Sequence, residues 1–143
     1  MVTMVKMRLM LVDDEERFLQ TTQKLLAKRG HEAITAASGA ECLQKLEQGL
    51  VHVVILDVKM PEMDGVETLK RIKRKFPLVE VIMLTGHATA ESAVEGLKLG
   101  ATDYLVKPAD IEVLVAKAEE AFNKRVALES KIRMAEALKK SPI

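Results

Sequence analysis

The sequence predicts an α/β domain: a doubly wound, five-stranded parallel sheet with helices on both faces and an extended C-terminal helix. Short aliphatic runs recur five times, and each is followed by a segment of helical spacing. Such strand–helix alternation produces a parallel sheet joined by crossover helices. The third run, Val51-His52-Val53-Val54-Ile55-Leu56, is apolar almost throughout, as a strand buried on both faces must be. The chain's 143 residues suit one hydrophobic core rather than two.

The first strand is predicted over Met7–Val12, stopping at Asp13. A helix should follow from Glu15 to Arg29, with Phe18, Thr22, Leu25 and Leu26 inward and Gly30 as its stop. Ala33–Ala37 is a weaker strand. Ser38 with Glu41 three residues later has capping-box spacing and opens a helix whose Leu43 and Leu46 point inward. The third strand ends at Asp57. Met60-Pro61-Glu62-Met63-Asp64-Gly65 is turn chemistry, and Val66–Lys75 reads as a helix carrying Leu69 and Ile72 inward. The fourth strand, Val79–Leu84, ends at Thr85-Gly86, and a helix from Ala90 to Leu99 is closed by Gly100. The fifth strand, Asp103–Val106, ends at Lys107-Pro108, and the last helix begins near Asp110.

Composition removes several functional classes. A net formal charge of +1 gives no global attraction to nucleic acid or anionic membrane. The single cysteine, Cys42, excludes an internal disulfide and a cysteine-based zinc site, and on the second helix it is expected to be inert. His31, His52 and His87 lack metal-ligand spacing. The basic run Lys70-Arg71, Lys73-Arg74-Lys75 ends a helix and complements its dipole. No apolar run approaches the ~20 residues needed to span a bilayer, and the start has no signal-peptide pattern. The expected location is the cytoplasm, with no membrane insertion.

In an open parallel sheet, ligands bind beyond the carboxyl ends of the strands. At those ends stand Asp13 and Asp14, then Asp57, Thr85 and Lys107. Neighbouring carboxylates repel one another and so take up protons or a cation. Oxygen donors in a hydrated site suit Mg²⁺ or Mn²⁺. A carboxylate beside such an ion can attack phosphorus, while a lysine and a hydroxyl stabilise the transferring phosphoryl oxygens. Asp57, ending the most buried strand, is the best nucleophile. Each residue also has an ordinary role: Asp13 and Asp14 as helix caps, Thr85 as a turn residue, Lys107 as a surface cation and Tyr104 as a core aromatic. Their joint occurrence at one sheet edge favours the chemical reading.

Five motifs at these positions, Leu-Val-Asp-Asp-Glu (11–15), Val-Val-Ile-Leu-Asp (53–57), Met-Pro-Glu-Met-Asp-Gly (60–65), Met-Leu-Thr-Gly (83–86) and Asp-Tyr-Leu-Val-Lys-Pro (103–108), occur in order. Together they resemble the receiver domain of two-component response regulators, including the single-domain chemotaxis type, over residues 5–124. The resemblance implies a flavodoxin-like sheet of strand order 2-1-3-4-5, with Asp57 as phosphoacceptor. It implies Mg²⁺ held by Asp13, Asp14, Asp57 and the Lys59 carbonyl, and Lys107 paired with the phosphoryl group. Thr85 and Tyr104 would be the switch residues, and the Lys107–Pro108 bond would be cis. Positions 59 and 87, here Lys59 and His87, vary in such families and affect dephosphorylation.

The resemblance further implies a phosphoprotein that catalyses only its own phosphorylation and dephosphorylation, not a conventional enzyme. Its expected partners are a sensor histidine kinase or histidine phosphotransfer protein and a downstream protein target. The alternative is a phosphorylation-independent interaction or dimerisation module of the same fold, against which the complete acidic, threonine and lysine set argues. A flavin site is disfavoured because Asp13-Asp14-Glu15-Glu16 would repel its phosphate, and no GxxxxGK[ST] or GxGxxG loop is present. Haloacid-dehalogenase-like phosphatases need an acid two residues after the nucleophile, where this chain has Lys59.

Residues 125–143 are expected to form a helical extension without an effector domain, so no direct DNA binding is expected. Arg125 to Lys140 contains good helix formers and neither Gly nor Pro. The 3,4 spacing of Ile111, Leu114, Ala118, Ala121, Leu128, Ile132 and Ala135 is broken by Arg125. A continuous helix from Asp110 would be about 45 Å long. Because a short helix is marginal alone in water, the extension is expected to pack on a second copy or a partner, as a short coiled coil, the alternative being a frayed, charged tail.

Overall fold

A computed structural model describes residues 6–58, 64–86 and 90–140. Ten elements alternate: β1 (Leu9–Val12), α1 (Glu16–Lys28), β2 (Ala33–Ala36), α2 (Gly39–Gln48), β3 (Val53–Asp57), α3 (Gly65–Lys75), β4 (Glu80–Thr85), α4 (Ala90–Lys98), β5 (Asp103–Val106) and α5 (Ile111–Lys139). All strand pairs are parallel, in the order β2-β1-β3-β4-β5. The turn expected over 60–63 and the loop position His87 lie outside the described residues.

The central strands β1, β3 and β4 are buried along their whole length, which is why their sequences show little alternation. Period-two geometry still divides their side chains between two cores. Met10, Val12, Val54, Leu56, Val81 and Met83 pack with Cys42, Leu46, Leu69 and Ile72 of α2 and α3. Leu9, Leu11, Val53, Ile55, Ile82 and Leu84 pack with Leu19, Leu26, Leu114, Ala118 and Ala121 of α1 and α5.

Element ends differ slightly from expectation. β1 begins at Leu9 rather than Met7, and β3 at Val53 rather than Val51, although Val51 and His52 are buried. The cause is a local irregularity: the N–H groups of His52 and Val53 both donate to the Arg8 carbonyl, at 2.9 and 3.3 Å. On α1 the inward face centres on Leu19, Thr22 and Leu26, with Phe18 and the expected Leu25 only half-buried. The Ser38 cap forms as its spacing predicts. Glu41 N–H donates to Ser38 Oγ at 3.1 Å, and the Glu41 carboxylate accepts from Ala37 N–H at 3.0 Å. That bond, with the side-chain bond from Lys45, holds the Glu41 carboxyl below its usual range. Burial pushes the Cys42 thiol up to about 12, so it stays protonated.

α5 continues unbroken for 29 residues, about 44 Å. Arg125 is its last buried residue; beyond it Val126, Leu128, Ile132, Met134 and Leu138 are all exposed. No described helix is long and apolar enough to cross a membrane.

Candidate functional site

The carboxyl edge of the sheet gathers the predicted residues. Asp13 directly follows β1, and its N–H extends the ladder by donating to the Ala36 carbonyl at 3.1 Å. Its side chain has no exposed surface, a state a carboxylate tolerates only with partners. Oδ1 accepts from Glu15 N–H at 2.9 Å and Oδ2 is ion-paired with Lys107 Nζ. Asp13 therefore shapes the turn into α1 as well as the acidic cluster. Asp14 is exposed.

Asp57 closes β3 and is 7% exposed. Its Oδ1 lies 3.9 Å from Lys107 Nζ. Carboxylate oxygens of Asp13, Asp14 and Asp57 all fall within 4.8 Å of one another. Among the described residues, three carboxylates and one ammonium meet in a crevice walled by buried strands. A carboxylate cluster of that kind attracts a divalent cation, and all-oxygen donors match the preference of Mg²⁺.

Thr85, the last residue of β4, is 1% exposed, and its carbonyl accepts from Lys107 N–H at 2.7 Å. Lys107 is thus tied by its backbone to β4 and by its side chain to the β1 and β3 carboxylates. The Lys107–Pro108 peptide is cis, as expected. Strand alternation sorts these groups further. Asp57 pairs in register with Leu84 and follows the Ile55 face, towards α1 and α5. Thr85 follows Met83, and Tyr104 is the register partner of Met83, so both belong to the opposite face, towards α2 and α3. Tyr104 is half-buried there. Lys59 lies outside the described residues.

Two contacts at this edge were not legible in the motifs. A Cβ on Gly65 would stand 2.3 Å from the Asp57 carbonyl oxygen and 2.6 Å from Val58 Cα. Gly65 is therefore required for α3 to start against the backbone of the candidate acceptor, where its N–H donates to the Val58 carbonyl at 2.8 Å. Phe18, expected only as a core residue, places its ring beneath Lys107 Nζ, 4.3 Å from the centroid. Two cavities, of about 740 and 260 Å³, are lined by residues such as Arg8, Ile34, Leu50, Val51 and Val79 at the opposite edge of the sheet and share no residue with this site.

With sheet order, acidic cluster, threonine and lysine all in place, comparison with known proteins is decisive. The model of the response regulator receiver domain matches residues 9–119. The chain belongs to this family. As a receiver domain it is 40% identical to the transcriptional regulatory protein ZraR of Escherichia coli (strain K12) over 114 residues, 80% of this chain and 26% of that protein. It is 38% identical to the DNA-binding transcriptional regulator NtrC of the same organism over 113 residues, 79% of this chain and 24% of that protein. The chain thus spans about a quarter of the length of these curated relatives.

Among solved structures, a CheY-like receiver domain protein from Methanospirillum hungatei JF-1 superimposes with a TM-score of 0.81 at 32% identity, covering 86% of this chain and 98% of that one. The receiver domain of NtrX from Brucella abortus gives 0.76 at 31% identity, covering 80% and 98%. The receiver identity, the flavodoxin-like fold and the strand order expected from the motifs are all borne out.

Proposed function

We propose that this receiver domain takes a phosphoryl group from a phosphohistidine, on a sensor histidine kinase or a histidine phosphotransfer protein, onto Asp57. The observation that carries the reading is the meeting of Asp13, Asp14 and Asp57 within 4.8 Å, with Lys107 bridging Asp13 and Asp57. A lone pair on an Asp57 carboxylate oxygen forms the new O–P bond. The P–N bond of the donor breaks, and its electron pair returns to the imidazole nitrogen. Asp13, Asp14, Asp57 and, by resemblance, the Lys59 carbonyl would hold Mg²⁺, which supplies positive charge against the phosphoryl oxygens. Lys107 turns from Asp13 to one of those oxygens, and the Thr85 hydroxyl donates a hydrogen bond to another. Tyr104, on the Thr85 face of the sheet, follows inward, and this repacking presents a surface to a downstream protein target.

Intact-protein mass after incubation with a small acyl phosphate tests the reading. One phosphoryl adduct is expected, absent when Mg²⁺ is chelated, with borohydride reduction placing the acyl phosphate at Asp57. An adduct that forms equally without Mg²⁺, or at another residue, would refute the assignment. A folded chain that takes none would favour a phosphorylation-independent interaction module.

The same proposal treats residues 5–124 as the signalling body and 125–143 as a helical extension that pairs with a second copy. Supporting it are the exposed Leu128, Ile132, Met134 and Leu138, which an isolated helix has no reason to display to water. Sedimentation should give a dimer for the native chain and a monomer for Leu128→Asp/Ile132→Asp. A native chain that sediments as a monomer at high concentration would remove this part of the proposal.

A further inference from the structure

Lys107 carries its charge on a flexible stem, yet its ammonium is held at one place by three groups from three elements. It is ion-paired with Asp13 after β1, lies 3.9 Å from Asp57 Oδ1 at the end of β3, and sits 4.3 Å from the Phe18 ring centroid in the first turn of α1. The carboxylates alone do not explain that position. Coulomb attraction is not directional, so the carboxylates, within 4.8 Å of one another, set the ammonium's charge neighbours but not the path of its flexible stem.

The ring supplies a second attraction with a fixed location. Phe18 is half-buried and packed against the aliphatic cluster of Leu11, Leu19 and Leu114, so its face cannot follow the lysine. The Lys107 side chain is only 18% exposed, which limits screening of the ring's quadrupole by water. Leucine would fill this packing role, and the chain uses aliphatic residues at almost every other core position; just three phenylalanines occur in the sequence.

We infer that Phe18 is a positioning residue for Lys107, its ring face holding the ammonium where it meets Asp13 and lies 3.9 Å from Asp57 Oδ1. The inference rests on the phosphoryl-transfer reading above and names a group through which Lys107 is kept ready for an incoming phosphoryl oxygen. Its consequence is kinetic: without the ring, the lysine must be ordered during transfer.

The test compares the native chain with Phe18→Leu, which keeps apolar volume, and Phe18→Tyr, which keeps the ring. In nuclear magnetic resonance spectra the Lys107 ε-methylene protons should show an upfield ring-current shift in the native and tyrosine forms and lose it in the leucine form. The rate of adduct formation from a small acyl phosphate should fall by about 3- to 30-fold in Phe18→Leu, the size of a partly desolvated cation–π attraction. It should recover in Phe18→Tyr. Equal rates in the leucine and tyrosine forms, or a native Lys107 without the ring-current shift, would overturn the inference. A native chain that forms no adduct, while retaining the ring-current shift, would refute the phosphoryl-transfer reading and this kinetic role with it, leaving the contact as packing alone.

Discussion

Gly65→Ala should slow adduct formation by about two orders of magnitude, because it moves the backbone that presents the acceptor. Helix propensity alone predicts the opposite sign for stability, since alanine is favoured over glycine by about 1 kcal/mol inside a helix. Sterics decide the matter. The new methyl would meet the Asp57 carbonyl oxygen at 2.3 Å and the Asp57 carbonyl carbon at 3.0 Å, and both are backbone atoms with no rotamer to escape into. Ordinary contact requires α3 and the β3 end to separate by about 1 Å, and overpacking of this kind costs about 1–3 kcal/mol. That separation also strains the bond from Gly65 N–H to the Val58 carbonyl and tilts Asp57 away from Asp13 and Lys107. Thermal melting should show a net loss of up to about 2 kcal/mol after the propensity gain is subtracted. A melting temperature and adduct rate both equal to the native values would show that α3 yields without moving Asp57.

This case shows what the sequence could and could not convey. The sheet was legible because β1, β3 and β4 are buried on both faces and write that burial as continuous aliphatic runs. The site was legible because parallel topology sends every strand end to one edge, so Asp13, Asp57, Thr85 and Lys107 had to meet there. Strand starts were misplaced by about two residues because Val51 and His52 are buried without pairing in the ladder. Gly65 read as turn chemistry, since nothing in a linear sequence reports that another segment's backbone will press against it. Phe18 read as core for a similar reason: its second partner, Lys107, is distant in sequence and is brought over the ring only by the order of the strands. Lys59 owes its proposed role entirely to the family resemblance.

Arg125→Met should cost about 1.5–3 kcal/mol, the range for losing a buried hydrogen bond to a charged donor. In the sequence Arg125 only interrupts an apolar stripe, and an exposed arginine at that point would be worth little. The structure gives it another role. Its side chain is 8% exposed, Nη1 donates to the Val51 carbonyl at 2.6 Å, and Nε donates to Glu129 at 2.6 Å. Arg125 thus ties α5 to the residue leading into β3, the strand that carries Asp57. Methionine preserves most of the apolar stem, so the loss reports the polar contacts rather than a cavity. His52 supplies a second readout. It is buried, its Nδ1 accepts from Arg8 N–H at 2.9 Å, and its ring meets Phe122 edge-on. Burial first, then repulsion from Arg125, hold its pKa below the ordinary histidine value. A folded-state pKa below the unfolded one means that this contribution to stability is present above the unfolded value, about 6.5. It is lost as pH falls from there towards the folded pKa. Removing Arg125 takes away one depressing cause while Glu129, which raises the pKa, remains. The His52 titration followed by nuclear magnetic resonance should therefore move upward in Arg125→Met, and the acid loss of stability attributable to it should shrink. A His52 pKa that stays put or falls in a folded variant would place Arg125 away from the His52 ring in solution and sever the proposed tie between α5 and the start of β3.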